Sequence, residues 1–209
     1  MSKLRRISVL LFVALPGFGQ AEGNLLDEIV VTAVKQEQSI REVASSISTL
    51  TAEDLQTISH VHITEALRRV AGVWISRGNG QEHLTAIRSP VLTGAGSCGA
   101  YLMMQDGISL RAPGFCNVNE LFESSSELAE RIEVLKGPGS DIYGSNALHG
   151  AINVITPAID PGLNRVRFEA GPYDYFRTRY SFSGEWFRLD ASGTTDGGYK
   201  DDSGFDQHK

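Results

Sequence analysis

The sequence predicts an α+β domain of about 130 residues, followed by antiparallel β-hairpins. Two apolar runs, Ile132–Leu135 and Ala151–Ile155, flank a stretch holding Gly137, Pro138, Gly139, Gly144 and Gly150. Runs of that length bounded by Gly and Pro read as strands buried on both faces, and the stretch between them is too glycine-rich to pack a core of its own. Two short helical patterns precede them. After Pro157 apolar and polar residues alternate strictly, the pattern of hairpins with one face on each side of a sheet.

The N-terminus reads as an export signal. Lys3, Arg5 and Arg6 precede an apolar run at Ile7–Leu15, and Pro16–Ala21 is a breaker with small residues at Gly19 and Ala21. The apolar run is about half the roughly 20 residues a membrane-spanning helix needs, so cleavage after Ala21 is expected rather than a lasting anchor. Removing the three basic residues takes the formal net charge from −6 to −9. An acidic chain without a basic stripe argues against a nucleic-acid partner. Cys98 and Cys116 are then the only cysteines in an oxidising compartment, where a Cys98–Cys116 disulfide is the natural reading. Two buried thiols are the alternative; neither cysteine has a Cys or His beside it at the spacing of a zinc site.

Residues 22–48 are polar apart from one β-prone patch, Asp27, Glu28, Ile29, Val30, Val31, Thr32 and Ala33. Such a patch either adds a strand to the sheet edge of a partner or forms the first strand of the domain itself. Thr51 followed by Asp54 has the form of a capping box opening a helix to about Ser59. Ile63, Ala66, Leu67 and Val70 share one helical face, which Gly72 ends. Strand patterns follow at Val73–Ser76, His83–Arg88 and Tyr101–Gln105, separated by glycine-rich loops.

Beyond Pro157, Val166, Phe168 and Ala170 alternate with Arg165, Arg167 and Glu169. Phe176, Thr178, Tyr180 and Phe182 alternate with Arg177, Arg179, Ser181 and Ser183, with turns at Gly171–Asp174 and Ser183–Glu185. Membrane barrels and soluble sandwiches both show this alternation; with an export signal it favours a barrel. About fifty residues make three strands or so, far short of the 22 of plugged outer-membrane transporters. Open sheet edges are untenable in hydrocarbon, so this stretch is expected to be the start of a longer barrel protein.

Enzymatic motifs are missing. The stretch Lys136–Gly150 has no Gly-Lys-Ser/Thr ending to cradle phosphate, and no Gly-x-Ser-x-Gly elbow occurs. No carboxylate pair, metal cluster or cofactor motif stands out, and no enzyme, cofactor or metal site is expected.

Several motifs, in order, resemble the plug domain of TonB-dependent outer-membrane receptors. They are Ile87-Arg88-Ser89, Gln105-Asp106-Gly107-Ile108, Arg131 to Pro138, and Tyr143 to Thr156. Departures are Ser89, where the family has glycine, and His149, a histidine read here as a solvent-facing loop residue rather than a ligand or pH sensor. The resemblance implies a signal peptide over 1–21, a periplasmic segment over 22–48 with a TonB box at 27–33, a plug at 49–157 and barrel strands from 158.

It further implies active uptake of a scarce ligand: a ferric siderophore, haem, cobalamin or similar metal chelate. The location would be the outer membrane of a Gram-negative bacterium, in contact with its lipid. The coupling partner would be TonB with its inner-membrane ExbB–ExbD complex. Arg88, Arg131 and Glu133 would lock plug to barrel, the arginines needing acid partners because a lone buried guanidinium is untenable. Asp106, Gly107, Gly137, Pro138, Tyr143, Gly144 and Asn153 would be architectural, the glycines at positive φ or close backbone approaches. Arg111, Phe115 and Asn117, on the loop stapled by the cysteines, would face ligand. A plug-only periplasmic module or a non-functional truncated receptor are the alternatives, and the ligand itself is left unnamed.

Overall fold

A computed structural model of the chain describes residues 30–31, 38–39, 45–77, 83–91, 101–110, 124–200 and 203–209. The short strands β1 (Val30–Val31) and β2 (Gln38–Ser39) pair with each other antiparallel. The α+β unit then runs through β3 (Ile47–Leu50), α1 (Ala52–Ile58), α2 (Ile63–Leu67), β4 (Val73–Arg77) and β5 (His83–Ile87). It continues with β6 (Leu102–Gln105), β7 (Ile108–Ser109), β8 (Arg131–Lys136), the short helix α3 (Ser140–Tyr143) and β9 (Gly150–Ile155). Four further strands complete the chain: β10 (Asn164–Ala170), β11 (Phe176–Ser183), β12 (Arg188–Asp196) and β13 (Phe205–His208).

A five-stranded mixed sheet, ordered β3-β8-β9-β6-β7, is the centre of the α+β unit. Only the β6–β9 pairing is parallel. β8 and β9 lie inside the sheet and are buried on both faces, as their apolar runs predict, each run carrying one buried polar residue, Glu133 or Asn153. On one face Ile132, Val134, Ile152 and Val154 pack with Leu55 of α1, Ile63 and Leu67 of α2, and Ile75 and Ile87 of the β4–β5 hairpin. Each such fully buried aliphatic side chain contributes about 2 kcal/mol. On the other face Leu135 and Ala151 meet Leu102, Met104 and Ala147. The glycine-rich stretch therefore does contribute to a core: α3 and the 3-10 turn Ser145–Ala147 fold it over the second face, and Ala147 is fully buried.

The capping box forms as the sequence predicts. Asp54 N–H donates to Thr51 Oγ1 and Thr51 N–H donates to Asp54 Oδ2, at 3.2 and 2.9 Å. The second helix is shorter than its apolar periodicity predicts. It ends at Leu67, and the following amides of Arg69 and Val70 donate to Ala66 and Leu67, three residues back. These i to i+3 bonds tighten the last turn into 3-10 form before Gly72, at φ +87°, turns the chain into β4. β3 and β7 have no clear sequence pattern, being short and partly polar; their neighbours β8 and β6 create them by pairing.

The second sheet is a regular antiparallel meander, β10-β11-β12-β13. It has four strands rather than three: Phe205–His208, which the sequence reads as polar loop, pairs with Gly193–Asp196. Its outer face exposes Val166, Phe168, Phe176 and Leu189, with Phe168 and Phe176 stacked at 6.4 Å. The inner face presents Arg177, Ser183, Ser192 and Thr194, all buried. Among the described residues no helix is long and apolar enough to cross a membrane, a statement that does not bear on strands.

Candidate functional site

The described residues hold two polar constellations: one inside the α+β unit, the other on the seam between that unit and the second sheet. The first gathers most of the motif residues. Asp106 and Gly107, both at positive φ (50° and 78°), form the two-residue turn joining β6 to β7. That geometry is the I′ type, for which Asp-Gly is a preferred pair. The Asp106 carboxylate accepts from the Thr156 amide and hydroxyl, each at 2.8 Å, tying this turn to the end of β9. Gly107 N–H donates to Asn153 Oδ1 at 3.0 Å, so the buried amide in β9 has its required partner.

One register step away, Asn153 lies opposite Glu133 on β8. Glu133 is fully buried, and Arg131 Nε donates to it at 2.9 Å while Arg131 Nη1 bonds Glu130 at 3.2 Å. Arg131 and Glu133 are two residues apart on one strand face, which puts the guanidinium alongside the carboxylate. Arg88 stands apart, exposed and at φ 49°, with Nη1 donating to the Lys136 carbonyl and Nη2 to Ser46 Oγ at 3.0 and 2.9 Å. It holds β5 to the end of β8.

Gly137 N–H donates to the His149 carbonyl at 2.9 Å, and Gly137 and Gly144 take φ of 130° and 80°. Pro138 follows directly, where its fixed φ stiffens the turn into α3. The half-buried Tyr143 packs on the second core cluster. His149 is half-buried too, in the turn before β9, rather than facing solvent fully.

The second constellation contains residues that no motif marked. Ser59 caps α1 in the left-handed region, φ 45°, which aims both its hydroxyl and carbonyl at the second sheet. Arg177 is 2 % exposed. It donates from Nη2 to the His60 carbonyl at 2.7 Å and from Nε to Thr194 Oγ1 at 3.1 Å, with Nη1 3.6 Å from Glu169.

Arg179 bonds Glu169, the Ser59 hydroxyl and the Glu127 carbonyl. Glu169 also accepts from Ser59 Oγ at 2.9 Å and the Tyr175 hydroxyl at 3.1 Å. Glu127 in turn accepts from Ser192 Oγ at 2.9 Å and pairs with Lys209. Two guanidiniums are thus held by one strand-borne carboxylate and by main-chain carbonyls of the α+β unit. Bonds to charged donors of this kind are the stronger class.

His60 completes the seam. It is buried beside Ser126 Oγ, 3.0 Å from Nε2. Burial lowers its pKa to about 4, opposed by Glu127 and assisted by Arg177, Arg179 and Lys209. A neutral imidazole therefore sits beneath the cationic strand face.

The signal that could have found this seam is Arg177 and Arg179 sharing one face of a period-two strand with Glu169 opposite. Charges on a face that must be covered need partners on whatever covers it. Of the other residues singled out in the sequence, Val30 and Val31 pair with Gln38–Ser39. Asp27, Glu28, Ile29, Thr32, Ala33, Cys98, Arg111, Phe115, Cys116 and Asn117 lie outside the described residues. Among the described residues no three His, Cys, Asp or Glu are grouped to hold a metal ion.

Comparison with known proteins agrees with the fold. Residues 39–151 match the family model of the TonB-dependent receptor plug domain. Among solved structures, the chain is similar to the ferripyoverdine receptor of the outer membrane of Pseudomonas aeruginosa bound to ferripyoverdine. The identity is 20% with a TM-score of 0.60, over 79% of this chain and 22% of that one. It is similar to the alcaligin outer-membrane receptor FauA of Bordetella pertussis at 18% identity and TM-score 0.61, over 81% and 29%. Similarity to the siderophore receptor PiuA of Acinetobacter baumannii is 20%, with TM-score 0.57, over 82% and 23%.

The chain spans less than a third of the length of each of these structures. The match over 39–151, together with a mixed sheet followed by an antiparallel meander, means that the chain belongs to the TonB-dependent receptor plug family.

Proposed function

We propose that this chain is the gating plug and first wall strands of an outer-membrane receptor that actively imports a small metal chelate. A ferric siderophore is the favoured class. The observation behind this reading is the seam: the buried Arg177 and the half-buried Arg179 of the strand sheet are bonded to carbonyls of residues 59, 60 and 127 in the plug. A plug held to its wall by a compact set of polar bonds, with little apolar packing between them, can be displaced without unfolding either part. The ligands of the similar receptors, ferripyoverdine and alcaligin, support the choice of class.

In this reading residues 1–21 direct export, 22–48 form a periplasmic arm and 49–157 the plug. The exposed apolar face of β10–β12 meets lipid. Residues Asp27–Ala33 offer a strand to TonB, which transmits energy from ExbB–ExbD; main-chain pairing gives such a contact its affinity. Arg88, Arg131 and Glu133 steady the plug against further wall strands. Arg111, Phe115 and Asn117, on a loop closed by a Cys98–Cys116 disulfide, contact the ligand.

The test is uptake of radiolabelled ferric chelates by cells expressing the full-length receptor, with and without a proline at Val30 and Val31. Proline removes the amides needed for strand addition. Uptake lost while the receptor stays in the outer membrane, together with loss of TonB pull-down by a peptide of residues 27–33, is the expected result. Unchanged uptake by the proline variant rejects the coupling role.

A further inference from the structure

Below the seam, α1, the turn at Glu127–Glu130 and the link at Pro157–Leu163 border a cavity of about 240 Å³, open on one side to solvent, against the inner face of β10–β12. A water molecule's share of liquid volume is about 30 Å³, so the cavity has room for a small solute. Four arginines line it, Arg165, Arg167, Arg179 and Arg188, against three acids, Glu127, Glu130 and Asp160.

Most of these charges are already engaged. Arg188 bonds Asp190 through two nitrogens at 2.7 and 3.1 Å, and Arg179 is held by Glu169. Glu127 pairs with Lys209, and Glu130 pairs with Arg131. Two guanidiniums and one carboxylate are left over: among the described residues, Arg165, Arg167 and the Asp160 side chain have no hydrogen-bond or ion-pair partner.

The strand register makes this arrangement costly. Arg167 lies directly opposite Arg179 across the β10–β11 pair. Like charges in opposed positions destabilise a sheet, and the carboxylate on the same strand face, Glu169, is taken up by Arg177 and Arg179, which leaves Asp160 as the one unengaged acid among the described lining residues. Arg165 and Arg167 are two residues apart on one face, roughly 7 Å along the strand, so their forks open side by side into the same space. Planar guanidiniums match carboxylate and phosphate oxygens two at a time. The Ser181 hydroxyl and the Gln56 amide, also in the lining, supply neutral donors.

We propose that this cavity is a binding site for a small soluble polyanion bearing carboxylate or phosphate groups, clamped by Arg165 and Arg167 between plug and wall. It rests on the reading of the chain as plug and wall strands, because only then does the cavity lie on a route past the plug. An anion there relieves the Arg167–Arg179 repulsion and bridges the strand sheet to the Glu127–Glu130 turn. It would act as a station for acidic cargo along the seam.

The experiment is isothermal titration of the full-length receptor, purified in detergent, with citrate and separately with inorganic pyrophosphate. The two arms distinguish a carboxylate from a phosphate preference. The expected result is saturable, salt-sensitive binding of at least one probe. Binding should weaken tenfold or more in R165Q/R167Q and stay unchanged in R77Q, an exposed arginine on β4 away from the cavity. Circular dichroism and heat-modifiable migration confirm that each variant is folded, and the single variants R165Q and R167Q serve if the double one is not.

No saturable binding of either probe to the wild-type receptor overturns the proposal. So does equal binding by R165Q/R167Q. A receptor whose unpaired arginines are met by its own carboxylates gives the first of these outcomes. Fractionation of the receptor away from the outer membrane would defeat the transport reading instead, and is scored independently of the titration.

Discussion

Arg177 on β11 and His60 just after α1 are joined by a 2.7 Å bond from Nη2 to the main-chain carbonyl, across 117 residues of sequence. It links strand sheet to plug through a buried charge that also reaches Thr194 and stands 3.6 Å from Glu169. The first prediction concerns this residue. Arg177→Ala should destabilise the seam by about 2–3 kcal/mol, because it leaves a buried carbonyl and part of the Glu169 charge uncompensated. Arg177→Lys should recover only part of this, one ammonium being unable to reproduce the guanidinium fork. Amide hydrogen exchange at residues 59–61 measures the loss, and unchanged protection there in both variants would refute it.

A pH dependence follows from His60. Its folded pKa, lowered to about 4 chiefly by burial, lies below the 6.5 of an exposed histidine. Between those values the unfolded or undocked form binds the proton and the docked form does not. Stability from this group is therefore complete above about pH 6.5 and is lost as pH falls toward 4, by roughly 3 kcal/mol in all. His60→Gln should flatten that slope. Denaturation midpoints taken from pH 7 to pH 4.5 test it, and identical slopes in the two proteins would count against it.

The turn–strand link offers a third test. Asn153→Ala removes the acceptor of Gly107 N–H within a buried strand. A cost of about 1 kcal/mol is expected, that of one net hydrogen bond, because the Gly107 amide lies in an exposed turn. Asp106→Ala should cost a comparable amount, since the carboxylate holds both the amide and hydroxyl of Thr156. Chemical denaturation gives both values; a change under about 0.5 kcal/mol for either would contradict the assignment.

Two glycines should respond very differently to alanine. A Cβ on Gly150 would lie 2.3 Å from the Leu135 carbonyl oxygen and 3.1 Å from Ile87, contacts that the paired β8 and β9 backbones cannot relieve. Gly150→Ala should cost roughly 3 kcal/mol or more. A Cβ on Gly107 meets nothing within 4 Å, so its substitution pays only for the positive φ, about 1–2 kcal/mol. Comparable expression and melting temperature for the two variants would show that close approach is not what keeps glycine at 150.

What the sequence determined by itself is local and periodic. Thr51 and Asp54 specify the start of α1 because a capping box needs only four neighbouring residues. The runs around Ile132–Leu135 and Ala151–Ile155 specify central strands because a strand buried on both faces cannot alternate. Alternation after Pro157 specifies β10–β12 and their plug-facing side. Asp106-Gly107 announces its turn through the φ values it permits.

Tertiary structure decided whatever depended on a distant partner. β3, β7 and β13 exist because an adjacent strand offers hydrogen bonds, a fact absent from their own residues. α2 stops early because its last turn tightens toward Gly72. Arg177, Arg179 and Glu169 read only as polar inward positions. That they clasp Ser59, His60 and Glu127 depends on how the second sheet comes against the turn after α1 and the turn before β8, 117 and 52 residues away in sequence. That Arg165 and Arg167 have no partner among the described residues was likewise invisible, because a charge is recognisable in sequence but its compensation is a property of three-dimensional distance.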